Sequence, residues 1–249
     1  SIDNLMKIGV GNVLVGAMNQ AFFTLSLGIG SMAIFGSYID KKRSLLGESV
    51  NIAALDTFVA LASGFIIFPA CYAYDVDVTS GMGLIFLTLP NIFNNLPMGQ
   101  FWGSLFFVFM SFAALSTIFA VFENVVSCTM DLFKWERKKA SMLNGIFLAF
   151  ACMPCVLGWN VWSGFQPLGE GTNVMVLEDF FVSNLALPLG SLIFVIFCVT
   201  RYGWGWDKFV AEANEGEGLK VQKWMRPYVT YVLPVMVAII FVVGILSYL

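Results

Sequence analysis

Gln20-Ala-Phe-Phe-Thr-Leu-Ser-Leu-Gly-Ile-Gly30 lies at the centre of an apolar block running from about Val13 to Ile39. A block of that length suits a bilayer, which a helix crosses in about 20 residues. Gly28 and Gly30, beside Thr24 and Ser26, weaken the helix midway along. Two readings follow. The span is either a straight helix with small residues on a packing face, or a helix broken in mid-membrane. Open backbone at that depth survives only if it is buried in protein or lines a cavity. Where helices do break, the freed carbonyls and half-helix amino termini bind cations and carboxylates.

The rest of the chain sets this block in a membrane. Of 249 residues, 59% are hydrophobic and 12% charged, against about 25% charged in soluble domains. Five further apolar blocks follow, at about Ser49–Ala73, Gln100–Met130, Ser141–Leu157, Glu178–Thr200 and Tyr228–Leu249. Twelve of the thirteen Lys and Arg residues fall in alternate loops, 40–48, 131–140 and 201–227. The positive-inside rule makes those loops cytoplasmic and loops 74–99 and 158–177 external. All seven tryptophans lie near block ends, where the interface favours them. In loop 74–99 the stretch Gly81–Pro97 is too apolar to hang free, and Pro90 predicts two short helices bent there and docked as an external hairpin. Glu212–Gly218 is polar and glycine-containing, and reads as a linker. Ser1 without methionine or a signal sequence suggests a piece of a longer protein.

Composition also excludes functions. With no histidine, there is no HExxH zinc site, Ser-His triad or imidazole relay. A net charge of −3 does not suggest nucleic-acid binding. Cys71, Cys128, Cys152, Cys155 and Cys198 lie in or beside apolar blocks; the lone CxxC at 152–155 lacks a second ligand pair, so packing as small apolar residues is expected. Two carboxylates fall within spans, Asp56 and Glu123. At that depth each needs an ion, a cavity or a polar partner, and a structural partner weighs more for Glu123. Ser116 and Thr117 place adjacent hydroxyls in an apolar helix. They either bond back to a carbonyl one turn earlier or offer hard oxygen donors to a cation.

Three stretches in order resemble the neurotransmitter:sodium symporter family, with the leucine-transporter fold. Phe23–Gly30 is similar to its unwound sixth transmembrane segment, Gly83–Pro90 to its fourth external loop, and Phe112–Thr117 to its eighth segment. The resemblance covers the chain, sixth to eleventh segments. It implies an all-α membrane protein in one domain over 1–249, with six transmembrane helices, one broken: the second inverted repeat plus one extra helix. The first five segments would form a missing amino-terminal half. It further implies sodium-coupled amino-acid symport by alternating access, not an enzyme. Phe23, Thr24, Ser26, Ile29, Thr117 and Val121 fall on substrate positions. Thr24 and Asp56 fall on the first sodium site; Ala113 (by its carbonyl), Ser116 and Thr117 fall on the second. Both sites are shared with the missing half. Asp179 matches the outer gate, Asp131 with nearby Tyr38 the inner gate, and Gln20 a position at the chloride site.

Two departures bear on ions. Asp56 stands where the family usually has a neutral asparagine, and Ala60 where chloride-dependent members have serine. Chloride is therefore not expected. Phe23, Ile29 and Val121 imply a neutral hydrophobic substrate. The expected location is the inner membrane of a prokaryote, with lipid and the other half as partners and no nucleic acid. An ion channel would show a repeated filter or charged ring, and an aspartyl protease a second deep aspartate; neither is visible. A structural membrane subunit is opposed only by the site resemblance.

Overall fold

The computed structural model describes residues 9–73, 84–169 and 171–246. Five helical runs within them are long and apolar enough to cross a bilayer: Leu45–Ala73, Gly99–Phe133, Arg137–Gly158, Val174–Val199 and Met225–Leu246. The remaining expected span is split. α1 covers Val10–Thr24 and α2 covers Ser31–Tyr38. The straight-helix reading is thereby excluded, and the all-α class with one broken span holds.

The long runs are α3, Leu45–Ala73, and α5, Gly99–Phe133; then α6, Arg137–Ala151, continued by α7, Met153–Gly158. α8, Val174–Phe180, leads to α9, Leu187–Val199, and the last run ends in α11, Leu233–Leu246. Two short helices complete the set: α4, Leu89–Asn95, and α10, Trp206–Ala213.

Proline explains an irregularity that recurs three times. Leu84–Thr88, Phe181–Ala186 and Tyr228–Val232 take the wider π register, and each run stops at a Leu-Pro pair: Leu89-Pro90, Leu187-Pro188 and Leu233-Pro234. A helical proline offers no N–H to the carbonyl four residues back and its ring collides with it. Widening the preceding turn relieves the collision without ending the helix. The bend expected at Pro90 is therefore a change of register in one continuous run, 84–95. Residues 74–83 of that loop lie outside the described residues.

The chain divides into two compact units, Asn51–Val121 and the remainder. In the first, Cys71, Leu89 and Ile92 are buried, with Ile67, Phe93 and Phe106 packed on them. A Cβ on Gly99 would lie 1.7 Å from the Phe93 carbonyl oxygen, so only glycine allows α4 to meet α5 this closely. The segment 84–95 docks, as its apolar sequence requires. In the second unit the core is Phe22, Leu187, Val237 and Ile240, which sets α1 against α9 and α11. Lipid tails are as apolar as these side chains, so close dispersion contact, not exclusion of water, holds such helices together.

The linker expected at Glu212–Gly218 is not free. Glu217 N–H donates to the Lys42 carbonyl at 2.8 Å, and Ser44 N–H donates to the Glu217 carbonyl at 2.9 Å. Lys41 donates to Glu215 at 3.0 Å, and this carboxylate holds the Lys41 ammonium above the usual lysine range. A Cβ on Gly216 would sit 2.5 Å from Arg43 N. The glycines of this linker permit close backbone approach, forming a strap over the buried Ser44.

Candidate functional site: the broken helix

α1 ends when Ser26 N–H donates to the Phe23 carbonyl at 3.1 Å and Leu27 N–H to the Phe22 carbonyl at 3.0 Å. Ser26, Gly28 and Gly30 all have positive φ, at 50°, 88° and 94°. α2 restarts from Gly30, whose carbonyl accepts from Ala33 N–H and Ile34 N–H at 3.0 and 3.1 Å. No side chain caps this start, so first-turn amides point into the gap with the positive end of the helix dipole.

Two contacts hold the gap open. On one side, the Gly28 backbone presses on α9: a Cβ there would lie 2.2 Å from the Leu187 carbonyl oxygen and 2.8 Å from Ser191 N. Reciprocally, a Cβ on Gly190 would lie 2.2 Å from the Gly28 carbonyl oxygen. On the other side, Asn124 of α5 donates its amide to the Ile29 carbonyl at 3.0 Å and is buried. Neither Gly190 nor Asn124 was among the residues expected from sequence. Their signals were faint: a Gly-Ser pair on an apolar helix, and an amide beside Glu123 in a span.

Phe22 is buried in the core, whereas Phe23, Thr24 and Ile29 are exposed. Ser26 stands apart from them. It lines a cavity of about 350 Å³ with Phe22, Leu27, Gly28 and Ser191, and Phe23, Thr24 and Ile29 do not. In the other unit, the Ser116 and Thr117 hydroxyls both donate to the Ala113 carbonyl, at 2.7 and 3.3 Å. The bonding back along the helix is therefore real, and it also gathers three uncharged oxygens. The two hydroxyl oxygens keep lone pairs to offer, whereas the carbonyl already accepts both bonds. Thr24 belongs to one unit and Asp56, half-buried, to the other, which also holds Thr117 and Val121.

The sequence model of the sodium:neurotransmitter symporter family matches residues 2–249. The chain belongs to that family. It is 29% identical over 236 residues to the sodium-dependent transporter YhdH of Bacillus subtilis, covering 93% of this chain and 51% of the relative. A sodium-dependent transporter of Haemophilus influenzae is 29% identical over 230 residues, with 90% and 48% covered. The crystal structure of MhsT in complex with L-phenylalanine superposes with a TM-score of 0.82 at 33% identity, over 94% of this chain and 52% of that one. The chain thus spans about half the length of the relatives it matches.

In this symporter-family chain Glu123 has a structural partner. Arg137 grips it with two bonds, at 2.9 and 2.7 Å, and the Tyr38 hydroxyl donates to it at 2.9 Å. A bidentate guanidinium is the strongest ordinary partner for a carboxylate in an apolar helix. The Tyr38 hydroxyl also lies 3.3 Å from that of Ser127. Asp131 is exposed. Asp179 accepts a bond from Ser183 at 2.9 Å, and Gln20 is exposed on α1.

Proposed function

We propose that this chain supplies half of a sodium-coupled symporter for neutral hydrophobic amino acids, working by alternating access in the cytoplasmic membrane of a prokaryote. One observation carries the reading: a helix held open at mid-span by Gly28 and Asn124, in a chain of this family. Thr24, Ser26 and the open backbone meet the charged ends of the substrate. Phe23, Ile29, Thr117 and Val121 hold the positions that the family resemblance assigns to the substrate's side chain. Thr24 and Asp56 hold positions that the family resemblance assigns to one sodium ion; the Ala113 carbonyl with Ser116 and Thr117 serves the other. The uncharged oxygens of this second site can release sodium readily. Tyr38, Asp131 and Asp179 act as gates, and the other half of the transporter completes each site. Asp56 provides a fixed negative charge, so chloride is not needed.

The substrate class rests on desolvation. Apolar surface gains about 25 cal/mol per Å² on burial, whereas a charged side chain entering the same pocket loses several kcal/mol. The phenylalanine bound to the similar MhsT supports the same class. Sodium-dependent binding of labelled leucine, tryptophan and glutamate to the purified complete transporter tests it. Leucine or tryptophan binding is expected; tight glutamate binding would overturn the substrate assignment.

A further inference from the structure

The break needs its backbone oriented, and among the described residues a side chain of α5 hydrogen-bonds to it from outside α1 and α2. Asn124 sits on α5 one residue after Glu123, yet it takes no part in the Glu123–Arg137–Tyr38 cluster. Its amide instead donates to the Ile29 carbonyl, between the two positive-φ glycines. Gly30 fits closely against it: a Cβ there would lie 3.4 Å from Asn124 Oδ1. A carbonyl left without a partner here would be free to rotate, and the segment carrying Ile29 could wind back toward helix. We infer that Asn124 is a positioning residue for the transport site, setting through the Ile29 carbonyl the backbone geometry that sodium and substrate meet. The inference rests on the transport reading above but assigns a role to a residue that contacts neither ligand.

A hydrogen-bond role and a space-filling role predict opposite results for near-isosteric variants. Asn124→Leu and Asn124→Asp both keep the shape closely, and neither an apolar group nor an ionised carboxylate donates. Losing one such bond shifts an equilibrium by roughly two- to tenfold. In the complete transporter, both variants should raise the half-saturating sodium concentration for phenylalanine uptake by about that factor. At saturating sodium, the maximal rate per molecule should stay near that of the wild type, because mass action restores the bound geometry. Thermal midpoints in detergent show which variants fold, and Asn124→Val, a smaller apolar residue that also donates nothing, serves if Leu or Asp does not. Unchanged sodium half-saturation in any folded non-donating variant would overturn the inference. A wild type with no sodium-dependent uptake would instead refute the transport reading itself.

Discussion

Replacing Gly28 with alanine tests the geometry of the break most severely. The substitution adds one methyl group at a residue with φ of 88°, where its Cβ would sit 2.2 Å from the Leu187 carbonyl oxygen. The left-handed backbone costs a non-glycine residue about 1–2 kcal/mol. Overpacking against backbone adds about 1–3 kcal/mol, because α9 must move as a body. The sum is about 2–5 kcal/mol, a large share of the 5–15 kcal/mol that typically holds a domain. Gly190→Ala meets the same contact from α9 and has no φ penalty, so about 1–3 kcal/mol is expected. Gly16→Ala in α1, where nothing lies within 4 Å, should be neutral or slightly stabilising. Detergent-solubilised variants heated in steps and followed by size exclusion give the ranking directly. The double variant Gly28→Ala/Gly190→Ala should cost less than the sum of its parts, since both disturb one contact. If Gly28→Ala melts with Gly16→Ala, the close crossing of the break and α9 is wrong.

Three further outcomes follow. Arg137→Ala leaves Glu123 with Tyr38 alone; because the Arg137 side chain is 61% exposed, the loss of thermal stability should be small, well below that of breaking a fully buried pair. Glu123→Gln should recover part of it in a double-mutant melt. With the five native cysteines replaced, Ser44→Cys should resist a maleimide, since Ser44 is 1% exposed; adding Gly216→Ala, which forces the strap from Arg43, should make it react. Asp56→Asn in the complete transporter should abolish uptake or make it depend on chloride, while the wild type works in gluconate; wild-type uptake falling to background in gluconate would refute the charge argument.

Much of the fold was legible because lipid imposes a simple code. Long apolar blocks separated by charged loops can only be helices, and five of the six formed as continuous runs. The break was visible as Gly28 and Gly30, the residues able to take positive φ without strain. What holds it open was not visible. Gly190 and Asn124 are distant in sequence, and only the packing of α9 and α5 brings them to Gly28 and Ile29. The docking of the strap was hidden for a related reason. Composition marks Glu212–Gly218 as a polar linker, but its docking uses backbone bonds from Glu217 to Lys42 and Ser44, which no side-chain pattern encodes. The register changes were written in the Leu-Pro pairs at 89, 187 and 233. Proline signalled a disturbance there; whether the helix bends or widens depends on what packs around it.

The central claim is that the opened helix belongs to a sodium-driven symport site. Its most direct test is phenylalanine accumulation in proteoliposomes holding the complete transporter, with inward sodium, inward potassium or no gradient. Symport predicts that phenylalanine inside transiently exceeds phenylalanine outside under the sodium gradient alone, and that a sodium ionophore abolishes the excess. Equilibration at the same rate under all three conditions, with no accumulation, would contradict it.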